Sequence, residues 1–145
     1  VMTAIRSSDE LLKETLNGNE TKVAEILEKI HRSETSIMAY NDENALASVI
    51  SLAYYSARRK YVIFRELPSG NGYADLTFIP RKNTSTPAFV VELKVDRTVE
   101  TAISQIKEKH YTEGLKDYSG EILLVGINYD REKKEHSCKI EKTEK

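Results

Sequence analysis

The stretch Gly72 to Asp96, GYADLTFIPRKNTSTPAFVVELKVD, decides how the rest of the chain is read. Two strand-like runs flank RKNTSTP, a segment built from residues that reverse a chain. If those runs pair antiparallel, residues equidistant from the middle, near Asn83 and Thr84, stand opposite each other, and Asp75 and Glu92 satisfy that condition. Side chains alternate along a strand, so Glu92 and Lys94 share one face with Val90, while Phe89, Val91 and Leu93 share the other. The spacing therefore predicts two acids and a lysine together in an otherwise core-like hairpin.

Two carboxylates held side by side repel and destabilise a fold unless a cation sits between them. A hard divalent ion, Mg2+ or Mn2+, suits oxygen ligands with retained waters. A neighbouring ammonium can orient or help deprotonate an attacking water. This is a phosphodiester-hydrolysis site in outline. The competing reading makes Glu92 and Lys94 solvent-facing residues of an edge strand, where charge discourages aggregation. Spacing alone leaves both open.

At 145 residues the chain suits one domain with a real core. Its 39% hydrophobic and 31% charged residues mark it as globular rather than disordered, with Tyr as the main aromatic and no Trp. A net charge of -1 supplies no global basic footprint, so any nucleic-acid contact must come from a local cluster of Lys and Arg. The single cysteine, Cys138, excludes an internal disulfide, fits a reducing compartment and reads as a packing residue. VMTAIRSSDELLK lacks the apolar core of a signal peptide, and no run approaches the ~18 apolar residues of a membrane span. The expected location is cytoplasmic, without a membrane partner. The start at Val1 followed by Met2 suggests an artificial boundary or an excised piece of a longer protein.

Along the chain, Ser8 or Asp9 is expected to cap a short helix through Leu11, Leu12 and Leu16, ended by Gly18. Asn19 then starts a second helix through Val23, Ile26, Leu27 and Ile30. This pair reads as packing or connector material. His31 is placed at the second helix's end, where the dipole favours a cation. A third helix is expected over Asp42–Arg59, with Leu46, Val49, Ile50, Ala53, Tyr54 and Ala57 as its buried stripe. Glu43, in its first turn, is either a dipole-favoured acid or a site residue. Strands follow at Tyr61–Glu66, Tyr73–Ile79 and Ala88–Val95, with PSGNG as the first reversal. An amphipathic helix spans Val99 to about Lys116, then strands Glu121–Ile127 and His136–Glu141 close the chain. Gln105 and Lys109 share a face of that helix one turn apart, as a site pair or as ordinary exposed surface. Arg58, Arg59, Lys60, Arg65, Arg81, Lys82 and Lys107 flank a phosphate groove or are simply solvated charges.

The text GYADLTFIP, FVVELKV and AISQIKEKHY resembles the PD-(D/E)XK nuclease superfamily, in particular the domain C-terminal to AAA-ATPase-like regions of bacterial proteins. The resemblance runs from about Asn41 to Ile140. It implies an α/β, restriction-endonuclease-like core: a helix, a three-stranded meander, a helix and two strands, with a mixed central sheet flanked by helices and preceded by a helical pair. The expected division is a connector over 1–40 and a nuclease-like domain over 41–145.

By the resemblance, Asp75 and Glu92 are the motif's acids, Lys94 its lysine, Glu43 a further metal-site acid, and Gln105 and Tyr111 the downstream helix motif. Ala74 stands where the motif has proline, a departure that touches no ligand. The implied function is a Mg2+- or Mn2+-dependent nuclease acting on DNA, with Arg58, Lys60, Arg81, Lys82, Lys109 and Tyr111 as nucleic-acid contacts. The alternative is a catalytically silent module of a larger ATPase-linked protein; no GxxxxGK[ST] phosphate loop occurs in this chain. An RNA-processing enzyme on the same fold and a homodimeric assembly both remain open on these grounds.

Overall fold

Ala88–Val95 (β3) is buried at every position, as a strand covered on both faces must be. The other strands are β1 (Tyr61–Arg65), β2 (Asp75–Pro80), β4 (Glu121–Asp130) and β5 (Glu135–Glu144). They form one five-stranded sheet in the order β1-β2-β3-β4-β5. All neighbours are antiparallel except β3 and β4, which run parallel. The computed structural model describes residues 2–34, 43–65, 75–82, 85–108, 115 and 118–144, with Glu43 and Asp75 described as backbone positions only.

The parallel pair needs a crossover, which α4 (Val99–Glu108) supplies. Asp96 turns the chain out of β3 with a left-handed φ of 57°. Its N–H donates to Tyr129 O (2.8 Å), and its carboxylate accepts the Arg131 backbone N–H (2.8 Å) and Nε–H (2.7 Å). Those Arg131 bonds, the backbone one foremost, hold the Asp96 carboxyl below the usual carboxylate range. Thr98 then caps α4, its Oγ1 accepting the Thr101 N–H (3.0 Å). Where the helix crosses β4 the sheet carries Gly126. A Cβ there would lie 2.9 Å from Val99 O and 3.1 Å from Ala102 Cβ, so only glycine allows this approach. Ala88, Val90, Ile122 and Leu124 of the sheet pack with Ile103, Ile106 and Leu115 on this side.

The opposite face is covered by α1 (Met2–Leu16), α2 (Glu20–Glu34) and α3 (Glu43–Ala53). Leu11, Leu27, Ile30, Leu46 and Ile50 from these helices share one cluster with Phe78, Phe89, Val91 and Leu93. Phe78 and Phe89, register partners, stack at 4.1 Å with Tyr54 and Tyr61 around them. The two helices expected as a connector thus contribute to the layer that covers the sheet. Glu20 Oε2 accepts the Ile140 N–H (2.7 Å) and Glu28 Oε1 the His136 N–H. Acids two turns apart on α2 thereby take backbone donors of β5 and blunt that edge of the sheet.

Several boundaries differ from expectation. α1 begins at Met2, and Ser8 lies inside it, donating its hydroxyl to Ile5 O (2.8 Å) instead of capping. Its end is as expected: Gly18, at φ 74°, donates to Thr15 O and Asn19 to Glu14 O, the paired bonds of a left-handed helix stop. α3 ends at Ala53, and a 3-10 turn, Tyr55–Arg59, replaces its expected last turns. The buried Tyr54 hydroxyl shares a 2.7 Å bond with Thr15 Oγ1, and the Ser56 N–H donates to Ser8 Oγ (3.3 Å), so tertiary bonds to α1 take the chain out of the α-helical path. α4 is described to Glu108 only; the expected continuation toward Lys116 and the PSGNG reversal lie outside the described residues. β4 continues to Asp130, three residues beyond expectation. No described helix is long and apolar enough to cross a membrane.

Candidate active site

The β2–β3 hairpin places Asp75 directly opposite Glu92, with Leu76 opposite Val91 and Thr77 opposite Val90. Directly opposed positions of an antiparallel pair share a face. On β3, Glu92 is 0% exposed and Lys94 2%, and Lys94 Nζ lies 3.6 Å from Glu92 Oε2. The edge-strand reading of this pair is therefore overturned: β3 is the central strand, and both charges are inside. Across β4, Gly126 is the register partner of Glu92, and Asn128 that of Lys94. Asn128 Oδ1 accepts the Arg97 N–H (2.9 Å), tying this end of the site to the start of the crossover.

Magnitudes show what the pair is not for. Opposite charges 3.6 Å apart attract by roughly 5 kcal/mol at an effective dielectric of ~20. Removing an ammonium and a carboxylate from water costs several kcal/mol each. The attraction at best offsets that cost, and an apolar pair of like volume would stabilise the sheet as well or better. A buried Glu-x-Lys on the middle strand is thus weak evidence of stabilisation and a candidate for a functional site.

The remaining expected site residues divide. Glu43 is the first residue of α3, on the other side of the sheet from α4, and its side chain lies outside the described atoms. Gln105 sits on α4, one turn after Ala102, the residue packed over Gly126. Its Oε1 is buried without a hydrogen-bond partner among the described residues. Lys109 and Tyr111 lie outside the described residues. Arg58, Lys60, Arg81 and Lys82 gather at the far end of the hairpin: the Arg81 N–H donates to Lys60 O (2.8 Å) and its Nε–H to Arg58 O (3.1 Å). Arg58 also lies over the Tyr55 ring at 4.8 Å. Five strand steps separate Arg81's neighbour Pro80 from Asp75, roughly 17 Å at the usual rise. Lys107 pairs with Glu141 at 3.4 Å.

The donor chemistry fits a hard cation. Glu92 offers a carboxylate, position 75 places a second opposite it, and Gln105 carries a buried orphan amide oxygen. Among the described residues no three His, Cys, Asp or Glu side chains form a metal-holding group. Sequence reading missed Gly126 and Asn128. The signal for the first was a lone glycine in the apolar run ILLVGI, which marks a close approach in a strand.

His31, expected as a cation at a helix end, is instead buried against Tyr129 (ring centroids 4.8 Å) and His136 (5.5 Å). Burial pushes its pKa down, against the pull of Glu28 and helped by Lys134. His136 is likewise lowered by burial, although its Nδ1–H donates to Glu28 Oε1 at 2.9 Å. Both rings are core groups whose charged form burial disfavours, on the face away from Glu92. Burial also pushes the Cys138 thiol up, which suits a packing residue.

No curated protein matches the chain. A family model does, over residues 41–139, which is 99 of the 145 residues and includes α3, all five described strands but the end of β5, and the whole acid-lysine hairpin. The match covers more than half of the chain and agrees with its mixed five-stranded sheet: this chain belongs to the PD-(D/E)XK nuclease superfamily.

Proposed function

We propose that this protein is a divalent-metal-dependent nuclease that hydrolyses phosphodiester bonds, with DNA as its first substrate class. The observation that carries the reading is the burial of Glu92 and Lys94, 3.6 Å apart, on the central strand with Asp75 in register opposite. Asp75 and Glu92 would hold the metal; the resemblance adds Glu43, which would have to reach it from the first turn of α3, across the sheet from α4. Mg2+ or Mn2+ bound there supplies Lewis-acid polarisation of the scissile phosphate. Lys94 orients the attacking water and offsets the negative charge that grows on the phosphoryl oxygens. A water oxygen forms the new P–O bond, the sugar oxygen leaves, and a proton moves from water to the leaving group. Gln105 contributes its amide oxygen from the covering helix.

The basic group Arg58, Lys60, Arg81 and Lys82 is the proposed phosphate-tracking surface, with Lys109 and Tyr111 as further contacts from the segment after α4. An ATPase-like region elsewhere in a longer protein, a bacterial source, a cytoplasmic location and a homodimer are proposals that rest on the resemblance or the sequence alone. Cleavage of plasmid, single-stranded and branched DNA in Mg2+ or Mn2+, with Asp75→Ala as control, tests the proposal. Metal-dependent cleavage lost in the variant supports it. No cleavage of any DNA or RNA by the unmodified protein shifts the reading to a silent interaction module.

A further inference from the structure

One face of the sheet is covered unevenly. α4 packs over β3 and β4, yet on the same face at the β1 edge Val62 is 38% exposed and Phe64 49% exposed. The register fixes where these residues stand. Val62 is opposite Ile79 and Phe64 opposite Thr77, and Thr77 is opposite Val90, so Phe64 shares the face of Val90, Glu92 and Lys94. Asp75 is one strand across from Phe64 and two residues along, roughly 8 Å by ordinary sheet spacings. Exposing an aromatic ring and a branched aliphatic side by side leaves apolar area in water that ordinary surface design would cover.

The charges at the two ends of β1 suggest what covers it. Just before its first residue stand Lys60 and, across the hairpin, Arg81 and Lys82, all exposed. Beyond its last residues lies the Asp75–Glu92 row with Lys94. A polyanion held by cations at one end and presented to that row at the other must run along β1, over Val62 and Phe64. An anionic chain with flat apolar faces meets both demands.

We infer that Phe64 is a base-stacking residue and that the substrate is single-stranded or locally unpaired nucleic acid beside the scissile bond. This inference rests on the proposed nuclease reading and deepens it. A stacked duplex hides its base faces, so an exposed ring on a flat strand selects strands whose bases are free. Val62 extends the apolar floor toward the cationic end. Phe64 acts on binding and specificity; the reacting atoms belong to the Asp75, Glu92 and Lys94 positions.

The chain has no tryptophan, so Phe64→Trp introduces a unique fluorophore at the proposed platform. Titration with a single-stranded oligonucleotide and with its duplex, in EDTA and in Ca2+, should quench that Trp saturably with the single strand and far less with the duplex. Phe64→Leu keeps apolar bulk but lacks a π face, and should weaken single-strand binding roughly tenfold while leaving thermal stability and duplex binding close to unmodified. Cleavage or binding with no quenching, and Phe64→Leu indistinguishable from the unmodified protein, overturns the stacking role and leaves the nuclease reading intact. Quenching without metal-dependent cleavage keeps the stacking role and removes the nuclease reading. Neither quenching nor cleavage removes both. Conversion from dimer to monomer in Phe64→Leu, with unchanged nucleic-acid affinity, overturns the inference in favour of a second copy docked on β1.

Discussion

Two ionisable clusters are buried on opposite faces of the same end of the sheet. The Lys94–Asn128–Ser137 row faces α4, and the adjacent Val95–Tyr129–His136 row faces α2. On the α2 side Glu28 accepts both the backbone N–H and the ring N–H of His136, and the rings of His31, Tyr129 and His136 pack edge to face or tilted within 5.5 Å. Directional bonds account for the carboxylate there, and burial disfavours the charged form of the imidazoles. On the α4 side Glu92 meets Lys94 at 3.6 Å, by charge and beyond hydrogen-bond distance. The first arrangement is what a fold does with polar groups it must bury. The second buries an acid and a lysine on the central strand, the pair on which the proposed nuclease reading rests.

The contrast predicts opposite responses to substitution. Glu92→Gln should reduce metal-dependent cleavage by roughly 1000-fold, while the double variant Glu92→Met with Lys94→Met should melt at or above the unmodified temperature, since replacing both partners of a buried pair by apolar residues of like volume is often neutral or stabilising. Calorimetry alongside the assay checks both halves; a double variant that fails to fold would make the pair structural. Glu28→Ala should do the reverse. Leaving His136 donors unsatisfied should cost about 1–3 kcal/mol in urea unfolding, with cleavage by the folded protein close to normal.

Mild acid should act on the α2 side through its two histidines. His31 and His136 have folded pKa values below the usual imidazole value, so the unfolded chain takes up their protons first. Stability is then fully present above about pH 6.5, the ordinary value, and is lost as pH falls through the lowered folded values. Melting temperatures between neutral and mildly acidic pH should drop in the unmodified protein and drop less in His136→Gln. A rise on acidification would show that the rings are charged in the fold. Gly126→Ala should destabilise the α4 side, where a methyl would press on the Val99 backbone O and on Ala102. About 1–2 kcal/mol is expected, and nothing in the α2 cluster should respond.

The hairpin was legible because its signals are local. RKNTSTP sets the reversal, alternation sets the faces, and together they placed Asp75 opposite Glu92 and gave Ala88–Val95 its observed ends. The burial of Glu92 and Lys94 was not legible, since an ExK triplet reads alike on an edge or a centre strand until the crossover through α4 places β4 beside it. Ser8 misled because a serine that bonds back to the preceding turn resembles a cap in sequence. Tyr54 ended α3 through a bond to Thr15, 39 residues away. The His31, Tyr129 and His136 cluster and the α2 acids that blunt β5 depend on contacts more than a hundred residues apart, as between Glu28 and His136 or Glu20 and Ile140, which no periodicity encodes. The exposure of Phe64 was not legible, because exposure depends on what covers a face.

The central claim is that the buried acid-lysine row is a working nuclease site, and Lys94→Ala, compared with the unmodified protein below both melting temperatures, separates that claim from metal binding. A protonated lysine does not ligate a divalent ion, so the variant should keep, or slightly gain, the rise in melting temperature given by Mg2+ or Mn2+. Its cleavage rate should fall by roughly 100- to 1000-fold, and Lys94→Arg should recover little of it, because a planar guanidinium has a different reach and does not readily give up a proton. The decisive measurement is the cleavage rate of Lys94→Ala beside that of the unmodified protein at equal metal occupancy. Collapse of the rate with metal-dependent melting retained is the predicted result, and equal rates in the two proteins would contradict the account.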